Sequence, residues 1–254
     1  MQALCNGPRM SSAETRILHI HIPKTAGTAL RTAFQDDKDR KFAVFPGYDE
    51  RQLKNVEAEQ YDIFSGHFGY STAARIGGRM VTVLRDPVDR FVSVYFFWRQ
   101  LHAQGIERNH KTALAVHYDL HEFAKLRDEQ LLAEEFFNRA TWQIAHGSST
   151  HHRCELHDQG VTDAALLDRA RDNLHGFAAV GFQDDIGSFN RDVARLAGRP
   201  LPMRQINITR ERPDVSDVPD ATRRLIEGWT YLDIELLRMA RLAGAPAAPL
   251  AANA

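Results

Sequence analysis

The stretch HIPKTAGTAL, residues 21–30, ends one periodicity and begins another. Upstream, RILHIHI (16–22) alternates as a strand does, with Leu18, Ile20 and Ile22 on one side and Ile17, His19 and His21 on the other. Pro23 stops that strand. Downstream, TALRTAF puts Leu30, Ala33 and Phe34 at helical spacing, so a helix starts at Thr28. A buried strand that turns into a helix within a few residues is the opening unit of an α/β sheet.

The pattern repeats outward. YDIFSGH (61–67) and RMVTVL (79–84) are further apolar runs, and the second is β-branched enough for a central strand. RDPVDRFVSVYFFWRQL (85–101) opens a helix, with Asp86 as its cap and Pro87 in its first turn. Residues 119–146 and 162–175 read as helical, and FAAVGF (177–182) as a fourth strand. A helix over 184–198 stops at Gly198, and one over 216–242, started by Ser216 or Asp217, closes the chain. This order predicts an α/β fold: a P-loop-like parallel sheet flanked by helices, with a mainly helical middle segment. We read a single domain over 1–254, with 1–15 and 243–254 as loose tails. Ligands of such sheets sit at the carboxyl ends of the strands. The loops after Ile22, Phe64 and Leu84 are therefore the places to look.

The loop Pro23–Thr28 suits an anion. A helix start offers backbone N–H groups and partial positive charge. Gly27 permits close approach, Thr25 and Thr28 add hydroxyls, and Lys24 adds a point charge. The nucleotide-binding order G-x-x-x-x-G-K-[ST] is absent, because the lysine precedes the glycine. Taken alone, the loop reads equally as a plain strand-to-helix turn with Lys24 in solvent. Arg85, at the end of the third apolar run, falls at the same sheet edge as Lys24, and Ser93 lies two helical turns further on. Together they can grip a second anion; alternatively Arg85 pairs with Asp86 or Asp89 and Ser93 is a packing residue.

Together, HIPKTAGTAL and VLRDPVDRFVSVYFF resemble the sulfotransferases that use 3′-phosphoadenosine 5′-phosphosulfate (PAPS), nearest the branch of heparan and uronyl 2-O-sulfotransferases and bacterial relatives. The resemblance implies that Pro23, Lys24, Thr25, Ala26, Gly27 and Thr28 hold the 5′-phosphosulfate. It implies that Arg85 and Ser93 hold the 3′-phosphate. FSGHFGY (64–70) is similar to the family's Gly-His segment, with Gly69 where many relatives have proline. FNRATWQIAHG (137–147) and AVGFQDDIGSFNRDVARLAG (179–198) resemble later segments, with Asp184 where glutamate is usual. The implied activity is sulfuryl transfer to an acceptor hydroxyl, with adenosine 3′,5′-bisphosphate as product. Lys24 would stabilise the leaving oxygen and His67 would be the base. His19 and His21, inside a strand, read as packing or orienting groups.

Composition narrows the rest. A formal net charge of -1 provides no basic field for nucleic acid or an anionic membrane. Two cysteines, Cys5 and Cys154, form no framework and fit a reducing compartment. No signal-peptide run opens the sequence and no stretch is apolar enough to span a membrane, so a cytoplasmic enzyme is expected. Eight of the twelve histidines fall between His102 and His157, but HHRCELH (151–157) lacks the paired spacing of a zinc site, and no metal is expected. Two rivals stay in view. One is a Mg²⁺-dependent P-loop kinase with Asp86 on the metal, opposed by the missing G-K-[ST]. The other is a non-catalytic nucleotide-binding protein. The acceptor, a small molecule or glycan, is expected in the middle of the chain. There Trp98, Arg99, Arg139 and Trp142 offer aromatic faces and forked donors, and HAQGIERNHKTA (102–113) reads as a mobile loop. The loop Phe45–Tyr48 is the alternative acceptor wall.

Overall fold

The computed structural model describes residues 15–36, 39–45, 57–127, 130–147, 160–201 and 212–244. HHRCELH and residues 46–48 lie outside the described residues, as do 1–14 and 245–254 of the expected tails. Five strands build one parallel sheet: β1 (Ile17–Ile20), β2 (Phe42–Phe45), β3 (Ile63–Gly66), β4 (Arg79–Leu84) and β5 (Ala179–Phe182). Their spatial order is β2-β3-β1-β4-β5. The chain thus steps from one side of β1 to the other between β3 and β4. Because all strands are parallel, the loops after β1, β3 and β4 emerge at one edge, where such a sheet opens a crevice. Strand β2 was not anticipated. It has four residues at the sheet edge, too short to show a period.

Helix α1 (Gly27–Gln35) lies on the face of β1 that carries Ile17, His19 and His21. Its Leu30, Ala33 and Phe34 pack with Ile17, Ile63, Val81 and Val83. The other face of β1 presents Leu18, Ile20 and Ile22 to a second cluster. To this cluster α7 (Arg139–Ala145) brings Trp142 and Ile144, and α8 (Asp163–His175) brings Leu166 and Leu174. Short α2 (Tyr70–Ile76) follows β3, and α9 (Ile186–Ala197) follows β5. Gly198 ends α9 at φ 71, the left-handed stop that a glycine supplies.

A helical lobe forms the third cluster. Helix α3 (Pro87–Ala103) begins after β4 with Pro87 at its start and the Asp86 carboxylate accepting from Asp89 N. Its Phe91, Tyr95 and Trp98 pack against Phe123, Phe136 and Trp229. Where one helical run was expected over 119–146, α5 (Leu120–Phe123), α6 (Gln130–Phe136) and α7 stand as separate pieces. The segment 102–113 is not a loop throughout. Its start finishes α3, and α4 (His110–His117) opens at a capping box in which Asn109 and Thr112 each accept from the other's backbone N–H. Helix α10 (Asp220–Ala243) starts just after Pro219 rather than at Ser216 or Asp217, and it kinks at Thr230 (φ -129, ψ 20).

Candidate active site

The loop after β1 turns sharply. Lys24 (φ 65) and Ala26 (φ 68) are both left-handed, a conformation that costs a non-glycine residue roughly 1–2 kcal/mol. Left-handed residues in a tight turn aim successive N–H groups at one point, as anion sites require. No side chain caps α1 and no acid stands in its first turn, which leaves the positive end of the helix uncompensated. Thr25 is buried and donates to Ile22 O at 2.8 Å, so its hydroxyl braces the loop. Pro23 is buried, and Thr28 is half-buried. Gly27 has a role the sequence did not show: a Cβ there would sit 2.0 Å from His21 Cδ2. The His21 ring fills the place of a side chain.

At the end of β4, Arg85 donates through Nη1 to Lys24 O at 2.6 Å, tying the two loops together. Its Nε and Nη2 both meet Asp89 Oδ2 at 2.7 Å. Arg212 reaches the other oxygen of Asp89. Burial alone would raise the Asp89 carboxyl, but bonds from Arg85 and Arg212 outweigh it and leave the group below its usual range. Asp89 therefore stands where an anion could gather two guanidinium groups. Arg212 carries no sequence signal and was missed. Ser93 is buried on α3. The Lys24 ammonium lies 4.1 Å from the centroid of the Phe97 ring. Burial, then the charges of Arg85 and Arg212, pull its pKa from 10.5 to about 8. Beside the loop, a narrow cleft is lined by Thr25, Arg85, Arg90 and Asp233 among apolar Ile22 and Leu84.

His67 follows β3 and lies half-buried. Its Nδ1 donates to His21 O at 2.8 Å, which leaves Nε2 as the basic nitrogen. Burial lowers its pKa. The His21 carbonyl opposes that, Arg139 adds to it, Glu135 opposes it, and Arg31 adds to it. His67 stacks on His21 at 4.5 Å between centroids, and His21 stacks on His19 at 5.2 Å. Gln143 of α7 reaches the same His21 carbonyl (3.1 Å) and Phe68 O (2.9 Å). Arg90 holds Glu135 through its carboxylate (3.0 Å) and its carbonyl (2.6 Å). Glu135 bears electrostatically on both Lys24 and His67. Sequence reading overlooked Gln143, Arg90 and Glu135, whose types are unremarkable until the fold assembles them.

The four acceptor-side residues divide. Arg139 and Trp142 are on α7 and both are buried; Arg139 bears electrostatically on His67, while Trp142 lies in the cluster with Leu18 and Ile20, 6.3 Å from the His146 ring. Trp98 lies within the aromatic cluster, edge-on to Phe123 and Phe136. Arg99 donates to Tyr95 Oη (3.0 Å) and Ala115 O (2.8 Å), which pins α3 to α4. The departure at Gly69 has a local reason: a Cβ there would lie 2.5 Å from Gly147 Cα, so the α7 end occupies the space. Asp184 is held by Arg241 at 2.7 Å.

The chain is similar to a crystallised sulfotransferase from Alicyclobacillus acidocaldarius, at 15% identity and a TM-score of 0.42 over 89% of this chain and 94% of that one. A mouse sulfotransferase complexed with PAP matches at 14% identity and a TM-score of 0.35, over 85% of this chain and 64% of that one. Among curated proteins there is no match. The model of the Sulfotransferase family matches residues 10–238, nearly the full length, and the chain therefore belongs to the sulfotransferase family.

Proposed function

We propose that the protein transfers the sulfuryl group of PAPS to an acceptor hydroxyl, in the manner of the heparan and uronyl 2-O-sulfotransferase branch. The observation that carries the donor assignment is the pair of cationic sites at one sheet edge. One is the uncapped start of α1 with Lys24; the other is Arg85 and Arg212, gathered on Asp89. The donor set fits PAPS, which has an anion at each end of its ribose. Lys24 with Ala26, Gly27 and Thr28 would hold the phosphosulfate, and Arg85, Ser93 and Arg212 the 3′-phosphate. We assign no metal, since the chain supplies its own cations at both ends.

In the reaction, a bond forms between acceptor oxygen and sulfur, and the bond from sulfur to the bridging phosphate oxygen breaks. His67 Nε2 takes the acceptor proton. Lys24 and the first N–H groups of α1 stabilise the charge growing on the leaving oxygen, which departs as adenosine 3′,5′-bisphosphate. Arg139 and Trp142 border the acceptor, a small molecule or carbohydrate, while Trp98 and Arg99 hold the lobe behind them. We place the enzyme in the cytoplasm as one domain; no described helix is long and apolar enough to cross a membrane. Against the kinase reading stand the missing G-K-[ST] and the match to the Sulfotransferase family.

Calorimetry tests the donor. Adenosine 3′,5′-bisphosphate is expected to bind far more tightly than AMP. Arg85→Ala should remove most of that preference, about 1.5–3 kcal/mol for a charge-assisted bond. Equal affinity for the two nucleotides in the native protein would sink the reading. Turnover of PAPS in excess EDTA separates it from a Mg²⁺ kinase.

A further inference from the structure

We propose that His21 is a positioning residue: its carbonyl sets the tautomer of His67, and its ring is the plate against which His67 is held. This rests on His67 being the base of the reaction proposed above. The arrangement follows from strand register. His19 stands opposite Ser65 and Ile20 opposite Gly66, so His21 and His67 come next, side by side, past the strand ends. His21 N donates to Gly66 O at 2.8 Å, extending the pairing beyond the strand. The two rings then stack at 4.5 Å with 29° between planes.

The plate cannot move aside. Behind it lies His19, stacked at 5.2 Å and 20°, whose Nδ1 is 2.8 Å from Ser65 Oγ. Over it lies the first turn of α1, where Gly27 leaves only the room that the ring fills. Interiors packed this closely do not let a ring swing. The carbonyl is equally tied, because it accepts from both His67 Nδ1 (2.8 Å) and Gln143 Nε2 (3.1 Å). One residue thus touches the start of the candidate phosphosulfate helix with its side chain and the candidate base with its ring and carbonyl. Through it, the geometry of the anion loop is transmitted to the base.

The charged and titratable groups that bear on His21 are His67, His19, Arg31 and Lys24, and those on His67 include Arg139 and Glu135. Burial first, then these neighbours, keeps His21 well below 6.5 and His19 near about 3, so the column is neutral where His67 must accept a proton.

Imidazole ¹⁵N NMR reads His67 directly, with its signal assigned by its loss in His67→Ala. In the native protein His67 should be protonated on Nδ1 alone and titrate below 6.5. His21→Phe keeps a flat ring and should preserve both properties. His21→Ala admits water beside His67, so its pKa should rise towards 6.5, while the backbone carbonyl of residue 21 keeps Nδ1 protonated. In turnover, His21→Ala should lower kcat about 10²-fold, as a small misplacement of a reacting group does, with donor KM little changed. The acid limb of its kcat profile should move to higher pH, and His21→Phe should stay near native. Should His21→Ala not fold, His21→Val, smaller than the ring, leaves a lesser vacancy and is read the same way. A native His67 protonated on Nε2 instead, or an unchanged pKa in the Ala or Val variant, overturns the proposal. So does a folded His21→Phe as impaired as His21→Ala, which would mean that the ring nitrogens are needed. Native turnover by His67→Ala overturns it too, by removing the base. The imidazole response without any sulfuryl transfer supports the positioning of His67 and sinks the proposed function instead.

Discussion

In the proposed reaction Lys24 must be charged to stabilise the leaving oxygen, yet it occupies a place that favours the neutral amine. Burial is the largest reason, and Arg85 and Arg212 add repulsion, so the side chain titrates near about 8. His67, the proposed base, is held below 6.5 mainly by burial and can take a proton only when neutral. The two requirements bracket a window. In the free enzyme, kcat/KM should rise with pH through the His67 limb below 6.5. It should fall through a Lys24 limb near about 8. A bound polyanion raises the Lys24 pKa, so the alkaline limb of kcat should lie higher than that of kcat/KM. Lys24→Ala should reduce turnover on the order of 10²–10³-fold and abolish the alkaline limb. An alkaline limb that survives in Lys24→Ala would assign it to another group.

At the scale of elements, α7 and α10 cap each other. Where α10 kinks at Thr230, Asn138 supplies what the broken ladder lacks: its N–H donates to Trp229 O, and its Oδ1 accepts from Leu232 N. One turn on, the Asp233 carboxylate accepts from Ala140 N (3.2 Å), Thr141 N (2.8 Å) and Thr141 Oγ1 (2.7 Å) at the start of α7. That cap holds the helix that carries Gln143 to the His21 carbonyl. Asp233→Ala should lower stability by about 1–3 kcal/mol in chemical unfolding, since it leaves buried N–H groups without an acceptor. Burial raises the Asp233 pKa, so its charged form is the penalised one. Asp233→Asn, which keeps an acceptor and removes the charge, should cost less than half as much. Equal losses would show that the charge itself holds α7.

None of this pairing was legible in the chain. Strands β1, β3, β4 and β5 announced themselves because each is an apolar run closed by a turn residue. So did α3, through Asp86 and Pro87. The candidate anion loop stood out because its residue types lie within eight positions. By contrast, Asp233 and Thr141 are ninety-two residues apart, and the apolar residues of α4, Ala113 to Val116, run consecutively rather than at helical spacing, so they mark no buried side. The place a side chain would take at Gly27 belongs to His21, a fact of strand register rather than of composition.

The whole molecule has two apparent halves, a sheet with its helices and an aromatic helical lobe, and whether they unfold together depends on what joins them. Helix α10 does so physically. Its Ile226 and Trp229 lie in the lobe's cluster, while Leu232 and Leu236 lie in the cluster under β1. Strand β4 joins the two faces of the sheet in the same way, with Leu84 on one side and Val81 and Val83 on the other. Neither half can lose its core without exposing apolar surface of the other, at roughly 25 cal/mol for each Å² uncovered. We therefore expect a single cooperative transition, the behaviour of one domain. In Trp142→Phe the remaining tryptophans, Trp98 and Trp229, both report from the lobe. Their fluorescence should be lost at the same denaturant concentration as the slow hydrogen exchange of β1 and β4 amides. Adenosine 3′,5′-bisphosphate at a hundred times its dissociation constant should move both signals together, by about 2.7 kcal/mol. Fluorescence lost at lower denaturant, with the β1 and β4 amides still protected, would make the lobe a separate folding unit and α10 a linker between two domains.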